Sequence, residues 1–175
     1  LLRTGDYFNV QMCYHDIPEH LNPFDYETFD KNPSKGYAVV TNIETGLAEY
    51  LPMKNMHRNI DAVRASASMP LVSRPVEING KLYLDGGLAD SIPLLHAVTD
   101  GCRKNVVVMT KETGYRRVQP KHLELIKARY AKYPKVYELM ANRAAAYNQQ
   151  LDYLEAEVKN GTAFLIQPSH PNEVG

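Results

Sequence analysis

Asn79-Gly80 stands between two short β-prone runs, residues 75–78 and 81–84, and no other feature of the chain fixes local geometry so tightly. A two-residue type I′ turn needs φ > 0 at both central positions, which Asn and Gly adopt at least cost, so the runs are predicted to pair as a hairpin. The second run ends directly in Asp85-Gly86-Gly87. There a side chain can project from the carboxyl edge of a sheet while the backbone turns away, the glycines allowing φ > 0 and close approach of a reacting group or another backbone. Taken alone, such an Asp-Gly-Gly is better explained by a plain turn.

The rest of the chain alternates strand and helix signals. Residues 1–35 are rich in Pro, Asp, Asn and aromatics and hold neither period for long, which predicts short helical turns and loops. Residues 36–42 (GYAVVTN) and 46–51 (GLAEYL) read as a first hairpin. Asn59 or Asp61 can cap a helix that stops before Pro70, and Pro93 and Gly101 bracket another. Residues 105–110 (NVVVMT) are apolar enough to predict an interior, parallel strand. Two amphipathic helices are expected over about 120–160, parted at Pro134 and closed by Gly161, before a last strand at 163–167. This order predicts one α/β domain over 1–175 with a mostly parallel sheet.

Composition excludes several classes. With 44% hydrophobic and 23% charged residues in 175, the chain can build a core without staples. Twenty Lys plus Arg balance twenty Asp plus Glu, so no global charge draws it to nucleic acid. No stretch reaches the ~18 apolar residues of a membrane span. Cys13 and Cys102 have no C-x-x-C partner and read as reduced thiols, which predicts a cytoplasmic protein. The six histidines form no H-x-x-x-H or H-E-x-x-H pair, so neither a metal site nor a cofactor is expected.

Residues 64–93, RASASMPLVSRPVEINGKLYLDGGLADSIP, resemble the second half of the patatin-like phospholipase domain, with its D-G-G/A motif and the small-residue segment before it. The order of elements over 36–110 is similar too, and 120–167 resembles the helical tail of bacterial members. The resemblance implies a three-layer sheet flanked by helices and hydrolysis of lipid or phospholipid acyl esters by a Ser-Asp dyad. Asp85 would be the general base, with Gly86, Gly87, Ser66 and Ser68 supporting it. A carboxylate in a partly desolvated setting can relieve a serine hydroxyl of its proton.

The family places a G-x-S-x-G elbow and a glycine-rich oxyanion loop before that aspartate, and neither occurs in this sequence. The chain is therefore expected to be the C-terminal portion of such a domain, incomplete at its N-terminal side and inactive alone, with the N-terminal portion of the same protein as a partner. Ser66 and Ser68, before Pro70, are better explained by close packing of a helix end than as nucleophiles. His96 or His122 could be nominated for a Ser-Asp-His triad, but His96 lies among core-forming residues. Half of the chain's twenty cations fall between Arg103 and Lys135 against only Glu112 and Glu124. The stretch is either a solvated helix face or a basic surface, with Arg116 and Arg117 as contacts for an anionic substrate and for peripheral membrane attachment. Two other functions share these features: a non-catalytic lipid- or partner-binding module, and acyl transfer to an acceptor other than water.

Overall fold

A computed structural model describes residues 6, 8–121 and 123–170. The chain is a mixed α/β protein that divides into two compact units, Leu1–Asp90 with His122–Met140, and Ser91–Lys121 with Ala141–Gly175.

The first unit opens with π-helical turns over Met12–Leu21 and a short helix, α1 (Tyr26–Lys31), capped by the Asp25 carboxylate on the Thr28 N–H at 2.9 Å. Then β1 (Tyr37–Asn42) and β2 (Ala48–Pro52) form the expected hairpin, in register from Tyr37↔Pro52 to Thr41↔Ala48. The helix that follows, α2 (Met56–Ser66), starts earlier than Asn59 or Asp61 would place it. Asn55 is the cap, its side chain accepting from the Arg58 N–H, while Asn59 reaches back to the Asn55 N–H.

The second hairpin, β3 (Val76–Ile78) and β4 (Lys81–Asp85), turns at Asn79 (φ 52°) and Gly80 (φ 77°), the predicted positive pair. The four strands form one sheet in the order β2-β1-β4-β3. Every pairing in it is antiparallel, which corrects the mostly parallel sheet expected from sequence. Short hairpin loops can only join antiparallel neighbours, and β4 enters beside β1 in the opposite direction.

Alternation along the strands gives this sheet an apolar cluster on each face. On one, Val40, Val76 and Tyr83 pack with Ala65 of α2. On the other, Ile43, Leu84 and Leu88 pack with Ile126 of α4 (Leu123–Arg129), Tyr130, and Val136 at the start of α5 (Pro134–Lys159).

In the second unit α3 (Leu94–Thr99) ends before Gly101 at φ 92°. The strand β5 (Asn105–Val108) pairs in parallel with β6 (Ala163–Ile166). Ile92, Leu94, Tyr147, Leu154 and Ala163 form its core. β5 is parallel as expected but not interior: Val106 and Val108 are 67% and 69% exposed. Only alternate residues of the run face the core, so an apolar run four residues long did not require burial on both sides. Cys13 and Cys102 are both exposed free thiols. Among the described residues no helix is long and apolar enough to cross a membrane.

Candidate active site

Asp85 is the last residue of β4, opposite Val40 on β1. Three contacts hold it. Its N–H donates to the Ser68 carbonyl at 2.8 Å, its carbonyl accepts from Thr41 Oγ1 at 2.8 Å, and its Oδ1 accepts the Gly87 N–H at 2.7 Å. The last bond caps a single 3-10 turn, Gly86–Leu88. Oδ2 has no hydrogen-bond donor among the described residues. One carboxylate oxygen is thus immobilised and the other keeps its lone pairs for a proton.

The backbone behind Asp85 is fixed by burial. Thr41 is fully buried and its Oγ1 also receives the Ala89 N–H at 3.3 Å, joining β1 to both sides of the turn. Gly86 is also buried there, and a β carbon on it would meet the Val39 carbonyl oxygen at 2.2 Å. Neither Gly86 nor Gly87 has positive φ, which corrects the conformational reason expected for them. Gly86 is required by the approach of another backbone, and Gly87 contributes its N–H to the carboxylate.

The structure brings Ser68 against Asp85 through its backbone alone. Ser68 is buried and its hydroxyl donates to the Arg64 carbonyl at 2.8 Å, closing the end of α2. Ser66 is the final residue of that helix and half-buried. Beside Ser68 lies a cavity of about 240 Å³ bounded by Arg64, Ala67, Ser73 and Arg74, with Asp85 outside its lining.

Arg116 and Arg117 belong to the second unit. The Arg116 guanidinium is engaged by Asp152 and by Glu155 at 3.0 Å, and these carboxylates hold it more firmly protonated than usual. Arg117 lies over the Tyr147 ring at 4.4 Å, with a buried Nε that has no hydrogen-bond partner among the described residues. His96 is on α3, 3.5 Å from Asp100, and His122 lies outside the described residues. Among the described residues no three His, Cys, Asp or Glu side chains gather as a metal ion would require.

Sequence reasoning missed Thr41 and the pair Tyr50–Asp90. Tyr50 donates to the Asp90 carboxylate at 2.5 Å, and burial together with that carboxylate keeps its phenol protonated well above the ordinary range. Asp90 had a local signal, its place five residues after Asp85. A threonine inside an apolar strand has none.

Residues 1–98 match the family model for patatin-like phospholipases, and the match contains the Asp85 turn, Ser68 and both hairpins. The chain belongs to the patatin-like phospholipase family. The family is one of lipid acyl hydrolases. A second family model, a domain of unknown function (DUF6363), matches residues 133–175. Over 62 residues the chain is 39% identical to the uncharacterized protein YjjU of Escherichia coli (strain K12). That stretch covers 35% of this patatin-like chain and 17% of YjjU, so the chain spans well under two thirds of its relative.

Proposed function

We propose that Asp85 is the general base of a serine acyl hydrolase acting on lipid or other acyl esters. The reading is carried by one observation: a strand-end carboxylate with Oδ1 tied to the Gly87 N–H and Oδ2 unengaged. The serine, in a G-x-S-x-G elbow, comes from residues outside this sequence. As its Oγ bonds to the ester carbonyl carbon, its proton passes to Asp85 Oδ2. When the carbon–oxygen bond to the alcohol breaks, the departing alkoxide takes that proton, leaving an acyl-serine. Water then gives a proton to the same carboxylate as its oxygen bonds to the acyl carbon, and the carbon–Oγ bond breaks as that proton returns to the serine, which frees the carboxylic acid and restores the base. The hydrogen bonds from Thr41 and to Ser68 act on the Asp85 backbone and serve positioning, so that the carboxylate need not reorganise during the reaction. Peripheral contact with a lipid surface would bring the substrate.

The test is Asp85→Asn in the protein that carries the elbow, assayed on a short-chain ester and on phospholipid vesicles. The substitution preserves shape and the Gly87 contact but removes the base, so the rate should fall about 10²- to 10⁴-fold. An unchanged rate would overturn the assignment. Products identify the acceptor, a free acid for hydrolysis and a new ester for transfer. The present chain alone should release no acid.

A further inference from the structure

The segment that joins α2 to β3 leaves the helix end at Ser68, whose carbonyl accepts the Asp85 N–H, and turns at once through residues 69–73. Three further hydrogen bonds fix it. The Ser73 N–H closes the turn on the Met69 carbonyl at 3.0 Å, the Leu71 N–H reaches Oη of the buried Tyr130 at 3.4 Å, and Asp6 Oδ1 accepts the Arg74 N–H at 2.8 Å. Within this turn Leu71 has φ 70°, a conformation costly for a residue with a β carbon and open to glycine. The strained leucine is nonetheless 38% exposed, and Met69 is 44% exposed. Two guanidiniums border the turn. Arg74 follows it directly, and Arg129 lies 5.8 Å from the centroid of the Tyr130 ring, the ring whose hydroxyl holds Leu71. Both arginines are exposed, and neither guanidinium meets a carboxylate among the described residues. Lys127 and Lys132, on either side of Arg129 in sequence, are exposed as well, and of the two acids there, Glu124 and Glu138, the second is taken by Lys135 at 2.7 Å. Arg116, expected from sequence to meet an anionic surface, is instead held by Asp152 and Glu155.

We propose that Met69 and Leu71 enter the surface of a bilayer that carries anionic phospholipid, with Arg74 and Arg129 on its phosphates. The inference deepens the acyl-hydrolase reading and rests on it for its purpose: the turn begins one residue past the Ser68 carbonyl that holds the Asp85 N–H, so docking here would set that carboxylate close to the interface where ester bonds lie. The chemistry of the patch selects the partner. A specific protein interface needs about 800 Å² on each side, far more than two partly exposed side chains supply, whereas a bilayer accepts apolar side chains without a matching surface. A single-stranded nucleic acid would want aromatic rings for its bases, and both of these side chains are aliphatic. Glycine at position 71 would remove the strain, so a leucine there is explained by what its side chain does outside the fold.

The experiment sediments the full chain with sucrose-loaded vesicles of phosphatidylcholine, alone or mixed with phosphatidylglycerol. Binding should require the anionic lipid and weaken as salt is added. Arg74→Gln and Arg129→Gln should each lower the affinity about fivefold, the usual effect of one cation at an anionic surface. Leu71→Gly should lower it about tenfold while its midpoint in urea stays level or rises, because the variant sheds a strained β carbon, so the loss of binding is not a loss of fold. Leu47→Ser removes another exposed leucine, between β1 and β2, and should bind as the wild type does. Asp85→Asn should leave binding unchanged too. An equal loss in Leu47→Ser, or binding insensitive to both arginine changes, would overturn the loop as the docking surface. Losses on the arginine changes with none on Leu71→Gly would also overturn it, in favour of a plain polyanion site. None of these results touches the Asp85 assignment, which has its own assay. Vesicle binding as expected, beside unimpaired hydrolysis by Asp85→Asn in the protein that carries the elbow, would uphold the surface and sink the catalytic reading instead.

Discussion

Gly86 shows what one missing β carbon does for this site. The turn after Asp85 runs so close to β1 that an added methyl would lie 2.2 Å from the Val39 carbonyl oxygen and 2.5 Å from its carbon, both main-chain atoms of a paired strand. No rotamer change relieves that overlap. Gly86→Ala should therefore lower stability by about 3 kcal/mol or more in urea unfolding, the upper part of the usual range for overpacking. A loss below about 1 kcal/mol would mean that the turn can move away from Val39 and that the site is less rigid than described. The Asp85-Gly86-Gly87 triplet was visible in the sequence, but the reason for Gly86 was not. Its neighbour Val39 lies 47 residues earlier in the numbering, and no local pattern connects the two.

Glu49 of β2 joins three strands of the sheet. It accepts from Asn42 of β1 at 2.9 Å, and from Tyr83 and Lys81 of β4 at 2.7 and 3.3 Å. Burial by itself would raise its carboxyl, but these donors outweigh it and hold the group below its ordinary value of 4.5. Tyr83 moves the other way, to about 12, through burial and the Glu49 carboxylate. For a carboxyl depressed in the folded state, the stabilisation is fully present above the unfolded value and disappears as pH falls through the folded one. For a raised phenol it is present below the unfolded value of 10.0 and disappears as pH climbs toward 12. Glu49→Gln should cost about 2 kcal/mol at neutral pH and flatten the acid limb of a stability profile below pH 4.5. An acid limb as steep as that of the wild type would show that other carboxylates set it.

Elements with paired chemical signals were the legible ones. Asn79-Gly80, Pro93 with Gly101, and Pro134 with Gly161 each placed a boundary correctly, because each imposes a backbone angle or removes a donor regardless of what surrounds it. Strand direction was illegible, since nothing within β4 says which way its partner β1 runs. Asn55 was passed over for Asn59, a residue that turns out to assist the same cap from inside the helix.

Across the whole molecule, the turn at Asp85 was legible because its geometry is local, a carboxylate and the N–H two residues on, while the base role proposed for it came from the resemblance of residues 64–93. Arg116 could not be judged that way. Its partners Asp152 and Glu155 are 36 and 39 residues distant, and the excess of cations around it gave no sign of them. A second non-local feature is the β5–β6 pair, where the register sets Val106 beside Phe164 and Val108 beside Ile166. All four are exposed, Phe164 to 65% and Ile166 to 49%, and they make one apolar face. Such a face favours association. Light scattering over a dilution series should show the chain self-associating, and Val106→Thr with Phe164→Lys should reduce its mean mass toward that of a monomer. Concentration-independent monomer mass for the wild type would count against the prediction.

The two free thiols have a practical use. Cys13 falls in the first unit and Cys102 in the second, and both are open to solvent. The native sequence therefore carries one attachment point for a dye on each unit, and a donor and acceptor coupled there would report the separation of the units in solution by energy transfer, with no engineered residue.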